Sequence, residues 1–445
     1  MISQAIKHWN ALEGFRFERN RCKNYTYGRQ WDDYVTVDGH RMKEEDYIRS
    51  QGNIPLKNNL IRRMVRNVLG LYRNYYKLPG LDDLGLEETP ENLLLYSKLQ
   101  RSARENSLTE IYSRTMEEFL ISGMAVHRKW IEKRNGEAVV RTRMVSPDSF
   151  FFNSDMRDPR GWDATAVGQI HDAAFDNLAL SLGGTPAVRR MLLELYGDPE
   201  ATCRVVEYWR REITGHWRCH DMISGRIFNT PDLPEGNDAL RCRWVNEQHW
   251  NYYFLTPDGT VLKEGRSPYP HGGHPYVFKL YPFIDGEIHS FVADCIDQQR
   301  YVNRLVTLHD WIMRASAKGV LLFPENTLPE YADMDEIIDQ WSRFNGVIVY
   351  RPKSGMPQPQ QVSVNSTNIG ISELLEVQLK MLEDVSGVNS AIQGKIESGA
   401  VSGTLFDMQT RQAMNGLVDI LESFRSFVCD AALRDVGVLA KICES

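Results

Sequence analysis

The sequence predicts an α+β protein: a helical frame carrying a β-rich insert, with a small αβ unit set between two helices further along. Three observations predict it. Apolar residues recur at three-to-four spacing over Phe291 to Lys318 and over Ile371 to Val385, as in helices with one buried stripe. Within residues 123–283 the period falls to two, with turn residues between the runs, as in strands and hairpins. Strand and helix never alternate in the way that builds a parallel sheet.

At 445 residues the chain has room for two or three domains. Hydrophobic residues make up 42% and charged residues 25%, the balance of ordinary soluble proteins. The longest near-apolar run, Phe119 to Val126, falls far short of the roughly 20 residues that span a bilayer, so no membrane partner is expected. Met1 to Trp9 lacks the apolar core of a signal peptide. The cysteines (Cys22, Cys203, Cys219, Cys242, Cys295, Cys429 and Cys443) share no CxxC spacing. Their odd number and scatter predict reduced thiols in a cytoplasm rather than a disulfide framework. Net charge is −7 but uneven: residues 1–80 hold fifteen Lys and Arg against eight Asp and Glu, and residues 321–445 hold nine against seventeen. That asymmetry suits either two ends with different partners or solvated helix faces.

Residues 1–30 read as helical and basic, anchored by Trp9, Leu12, Phe15 and Phe17. Gly28 to Asp33 breaks the pattern, and Lys43 to Asp46 and Gln51 to Pro55 read as turns. Asn58 or Asn59 sits where an N-cap belongs, ahead of a helix through Leu60, Met64, Val68 and Tyr72. Arg62, Arg63, Arg66 and Arg73 lie on and beside its other side, either as a phosphate-binding face or as the polar face opposite a core stripe. Thr89-Pro-Glu-Asn92 opens the next helix, since proline suits the first helical position, and the helical period lasts to Ile121. From Gly123 a hairpin follows, Ala125 to Ile131 and Ala138 to Val145, and Val145 to Phe152 ends it. Ala166 to His171, Arg204 to Ile213, His216 to His220 and Trp250 to Leu255 read as strands, residues 174–197 as helical, and Pro257-Asp-Gly259 as a turn. Val320 to Phe323 and Gly346 to Tyr350 read as short strands around a helix from Met334 to Phe344. Gly387 to Gly403 is too rich in glycine for a regular element. A last helix carries Leu417, Ile420, Leu421, Phe424, Phe427 and Val428 on one side.

The residues offer no catalytic constellation. Six residues separate Gly387 from Gly394, and Ile396 follows Lys395, so the phosphate-loop spacing and its magnesium-binding hydroxyl are both missing. His171-Asp172 resembles part of a metal-phosphohydrolase set, but no other ligands at helical spacing accompany it, and a polar strand end explains it. His271 and His274 could donate two metal ligands, but no nearby Cys/His pair completes a tetrahedral site, and a glycine-rich turn accounts for them. GxSxG and HExxH do not occur. No metal and no cofactor is expected.

Five stretches, in order, resemble the portal proteins of tailed bacteriophages: Pro55 to Leu71; Leu120 to Val126 with Val145 to Phe151; Tyr269 to Val277 with Asp285-Gly286 and Asp297 to Asn303; Lys318 to Pro324; and Asp384 to Val388 with Ser398-Gly and Ser402 to Leu405. They cover roughly residues 50–430, and it is their order that is specific. The resemblance implies a non-enzymatic ring, typically a dodecamer, at one capsid vertex of the virion, assembled in the host cytoplasm, with double-stranded DNA passing through its channel. Residues 1–290 would be the wing, 291–318 and 371–386 the stem helices, 319–370 the clip, 387–403 the tunnel loop and 404–430 the channel helix. Residues 431–445 would be a short crown remnant, where many portals carry a helical bundle.

The residues are compatible with that expectation. Many firm phosphate contacts would hold DNA rather than let it slide, so an acidic or neutral lining suits a channel. Lys395, with Asn389, Gln393, Ser398 and Ser402, would give sparse contacts from the tunnel loop, or the loop is simply a flexible connection. Without an ATPase motif, the energy for translocation must come from a partner. The terminase large subunit, and later a head–tail adaptor, are expected at the clip through Glu325, Glu330, Asp333, Asp335, Glu336, Asp339, Trp341, Arg343 and Arg351. Capsid and scaffold proteins are the other expected partners. Two readings compete: a metal-dependent nucleic-acid-processing enzyme using His171 and Asp172, and a non-enzymatic scaffold that binds partners through the acidic insert.

Overall fold

The computed structural model describes residues 1–134, 137–200, 202–234, 239–318, 320–322, 360–362, 370–388 and 415–444, together with Asp335, Ile338 and Gly355. Helices α1 (Ile2–Ala11) and α2 (Glu13–Thr26) precede a hairpin, β1 (Tyr34–Val37) and β2 (His40–Lys43), and then α3 (Glu44–Ser50), α4 (Leu60–Tyr75), α5 (Pro90–Glu105) and α6 (Leu108–Ser122). Strands β3 (Met124–Arg134), β4 (Glu137–Met144), β5 (Phe150–Phe152) and β6 (Ala166–Ala174) lead to α7 (Phe175–Ser181) and α8 (Pro186–Tyr196). Then come β7 (Thr202–Asp221), β8 (Ile227–Thr230), β9 (Leu240–Leu255), β10 (Val261–Arg266), β11 (Tyr276–Leu280), β12 (Phe283–Ile284) and β13 (Glu287–Ile288). Helix α9 (Phe291–Lys318), β14 (Val320–Leu322), β15 (Gln360–Val362), α10 (Ile371–Ser386) and α11 (Val418–Glu444) complete the described elements. The architecture is α+β, as expected. The chain divides into two compact units, residues 1–29, 59–296 and 383–445, and residues 30–58 with 297–382.

The first unit holds the two-stranded β12–β13 sheet and two larger sheets. One has the order β10-β9-β7-β6-β5 with β8 on the far part of β7, and the other the order β11-β3-β4. Strand β5 is buried on both faces because alternate side chains meet different layers. Phe151 stacks on Tyr208 at 6.3 Å and meets Trp9 of α1 edge-on, whereas Phe150 and Phe152 pack on Phe278 of the second sheet. Asn59 caps α4 by accepting from the Arg62 N–H, and Thr89 caps α5 ahead of Pro90. Gly123 ends α6 at φ 74°, and a Cβ there would lie 1.8 Å from the His289 carbonyl oxygen, so glycine serves both the turn and the close approach.

Several expectations change here. His216 to His220 is not a separate strand, because β7 runs unbroken for 20 residues through Gly215, across which the Trp244 ring lies. The helical stretch 174–197 is broken at Gly183-Gly184, both at positive φ. Cys219 and Cys242 form a disulfide, which overturns the expectation of reduced thiols at this pair; β7 and β9 place them directly opposite, with Cα atoms 4.1 Å apart. The last helix does not stop near Val428 but runs to Glu444. Its first half buries Phe424 and Phe427 among Tyr72, Tyr112, Phe119 and His127. Its second half packs Ala432, Val436 and Leu439 on Leu84, Leu99 and Val140, which carries the helix past Gly437.

In the second unit, Lys43 to Asp46 is no turn. Lys43 ends β2, and Glu44, Glu45 and Asp46 form the first turn of α3, where acidic groups oppose the helix dipole favourably. The turn is instead Asp38-Gly39, both at positive φ, as a tight hairpin requires. Strand β14 matches the expected Val320 to Phe323, and its partner is β15, which the sequence did not suggest. The expected strand Gly346 to Tyr350 lies outside the described residues. Of the expected helix Met334 to Phe344 only Asp335 and Ile338 are described, and both are helical and exposed.

Candidate functional site

In the second unit, α9 spans the expected residues and fastens the segment that carries the first hairpin. Asn303 donates to Gln30 Oε1 at 2.7 Å and accepts from the Asn58 N–H at 3.1 Å. Gln299 donates to the Asn58 carbonyl at 2.7 Å and to Asn303 Oδ1 at 3.0 Å. Arg300 and Arg304 converge on Glu44, at 2.9 and 2.5 Å. The motif Asp297 to Asn303 is thus a clamp, with side chains supplying buried backbone partners. Its framework role was invisible in the sequence because its partners lie more than 240 residues away. A cleft of about 460 Å³ opens beside it, lined by Trp31, Tyr47, Ile48, Arg304, Leu308 and Trp311. Leu308 and Trp311 of α9, and Leu374, Val377 and Met381 of α10, remain exposed.

In the first unit, α10 ends at Ser386, and Gly387 turns the chain at φ 65°. Val388, fully buried, donates to Ser386 Oγ at 3.2 Å. The chain returns at Asn415. A Cβ on Gly387 would sit 3.5 Å from the Gly416 carbonyl oxygen, so the outgoing and returning strands touch through two glycines. Buried Leu417 then leads into α11. The described residues on either side of 389–414 therefore meet through Gly387 and Gly416.

Asn389, Gln393, Lys395, Ser398 and Ser402 of the expected tunnel loop lie outside the described residues. So do Glu325, Glu330, Asp333, Glu336, Asp339, Trp341, Arg343 and Arg351 of the expected clip. Asp335 is described as helical and exposed.

The competing chemical sites resolve into framework. His171 and Asp172 border a cleft of about 510 Å³ with Ile6, Trp9, Ile170 and Arg204. Asp172 accepts from Arg204 at 2.8 and 3.1 Å, and this pairing holds its carboxyl below the usual range. Burial lowers the His171 pKa. His271 and His274 belong to a turn pinned by α11: Arg434 donates to the His274 carbonyl at 3.0 Å, and Lys441 to that of Pro270. Burial lowers both imidazoles, His271 to about 4. Among the described residues no group of three or more His, Cys, Asp or Glu side chains could hold a metal ion. Of the arginines on α4, Arg62 pairs with Glu117 and Arg73 donates to Ser113 Oγ, leaving Arg63 and Arg66 exposed. Lys129 of β3 and Asp435 of α11 form a buried pair at 2.5 Å, a structural link between sheet and helix.

The described elements, the long helix α9, the second helix α10, the contact of Gly387 with Gly416 and the helix α11 after it, accord with a comparison to known families. A family model described as phage P22-like portal protein matches residues 7–431, and the chain therefore belongs to that family of structural head–tail connectors, through which bacteriophages package their DNA.

Proposed function

We propose that this chain assembles into a closed ring, dodecameric by family resemblance, at one capsid vertex, and that DNA enters and leaves through its axial channel. The family match over residues 7–431 carries the reading. Two features support it: the exposed apolar side chains of α9 and α10, which suit helices packed on neighbouring subunits, and the contact of Gly387 with Gly416, which brings together the described residues on either side of 389–414. In this reading a tunnel loop at residues 387–403 meets DNA through Lys395 and its polar neighbours. Residues 325–355, within the expected clip 319–370, dock the terminase large subunit during packaging and a head–tail adaptor afterwards.

Negative-stain micrographs of the assembled protein, paired with a terminase pull-down, test both parts. Rings with an axial hole are expected. Replacing residues 325–355 by a Gly-Ser linker is expected to abolish terminase capture while rings still form. Monomers in every assembly condition would overturn the ring, and unchanged capture would overturn the docking site.

A further inference from the structure

The outer half of the β7–β9 hairpin is not used by that reading. Strand β6 pairs with β7 only up to Arg210, and β10 pairs with β9 only from Asn251 onward. Beyond these points the two strands continue as a ribbon, widened to three strands where β8 pairs with Trp217 to His220. Side chains alternate across a sheet, so the register gives this tip two unlike faces. Trp217 opposite Trp244 and Cys219 opposite Cys242 occupy one face. Arg218 opposite Arg243, and His220 opposite Arg241, occupy the other.

Arg218, Arg241 and Arg243 are exposed, and none pairs with a carboxylate of the described residues. Like charges directly opposite one another weaken a sheet, and the ladder holds Arg218 and Arg243 at about 5.5 Å between Cα atoms. The base of the same hairpin behaves differently. There Arg204 is matched by Asp172, and Glu207 by Arg128. Among the described residues, no carboxylate offsets this repulsion at the tip, so the face suits an anion from outside.

We propose that this cationic face binds the phosphate backbone of double-stranded DNA outside the channel, independently of base sequence. Residues two apart on a strand are spaced by about 6.7 Å, comparable with the direct distance between neighbouring phosphates of one DNA strand, which exceeds the axial rise of about 3.4 Å because the backbone winds around the axis. Arg241 and Arg243 therefore suit successive phosphates of one DNA strand, with Arg218 beside them. Guanidinium groups pair well with phosphate oxygens. The inference rests on the phage reading only for the supply of DNA.

Covalently closed circular duplex DNA cannot thread a ring, so it reports contacts outside the channel. Its binding to the full chain, followed by filter retention across a salt series, is expected to weaken at least tenfold in the Arg218→Glu/Arg243→Glu variant. The slope of log affinity against log salt should fall by about two, near 0.9 per lost phosphate contact. Arg218→Lys/Arg243→Lys should retain binding. Should the glutamate variant misfold, the single change Arg241→Ala should still reduce the slope by about one. Wild-type binding in the glutamate variant, or capture of polyglutamate in preference to the circle, overturns the proposal. Mass photometry of the same samples separates this outcome from the portal reading: rings that bind circles unchanged refute the tip contact alone, and circle binding by protein that never forms rings refutes the ring alone.

Discussion

The β7–β9 hairpin passes through two different environments. At its base, Val205, Tyr208 and Trp209 are buried, flanked by β6 and packed beneath Phe151 and the aromatic side chains of β9. At its tip, Ile213 is 63% and Trp244 46% exposed, although the backbone ladder there is just as regular. Pairing therefore fixes which side chains face each other, whereas neighbouring layers decide what they contribute. At the base the contribution is core energy. At the tip a cross-strand disulfide and a pair of opposed arginines remain, with little apolar burial to hold them.

Truncating one aromatic residue in each half should expose this difference most. Trp209 is 2% exposed, packs on Tyr252 and Tyr269 and donates to Glu207 at 2.8 Å. Trp209→Ala should cost about 3–5 kcal/mol, the usual loss for a large buried aromatic, with an added penalty from the acceptor it abandons. Trp244→Ala should cost less than about 1 kcal/mol, as for a half-exposed side chain. Urea midpoints at fixed protein concentration measure both. Equal losses would mean that the tip carries a core of its own.

The base and the tip were not equally legible in the sequence. Helix α9, a cap at Asn58 or Asn59, the helix start at Thr89-Pro90 and the change of period at Gly123 were readable because each signal is local: a 3.6-residue period, an oxygen next to free N–H groups, a proline at a first helical position, a switch to a period of two. The unbroken length of β7 was not, since Gly215 reads as a break until register brings Trp244 over it. The Cys219–Cys242 bond has a separation of 23, with no local pattern to announce it. The extension of α11 past Val428 depends on packing against Leu84, Leu99 and Val140, which no window around residue 430 contains. At the candidate site the flanking helices α10 and α11 were legible from their apolar spacing. The contact between Gly387 and Gly416 joins positions 29 residues apart and needed coordinates.

Breaking the disulfide should sharpen the contrast at the tip. Closing a loop with a sequence separation of 23 restricts the unfolded chain by about 3 kcal/mol in the chain-entropy view. Cys219→Ser/Cys242→Ser should lower stability by at most about that amount. Amide exchange should accelerate over residues 212–221 and 240–249, which have few covering layers, and stay slow over 203–209. Uniform acceleration across both halves would show that the hairpin opens as one unit, and would remove the division drawn above.

Acid should act on the base through its buried imidazoles. His274 is buried and meets Trp250 edge-on, and His127 lies between Tyr112 and Phe427 with Nε2 2.8 Å from Thr115 Oγ1. Burial is the leading cause that holds both pKa values well below the ordinary imidazole value of 6.5. The unfolded chain therefore takes up protons that the folded chain refuses. The stability these groups contribute is fully present above pH 6.5 and is lost as pH falls from there toward the depressed folded values. Each imidazole should add about 1.4 kcal/mol per pH unit to the slope within that window. Urea midpoints between pH 7.5 and pH 5 measure it, with His274→Gln expected to remove one such increment. A variant as acid-sensitive as the wild type would mean that His274 takes up its proton in the folded state, with water reaching the ring beneath Trp250.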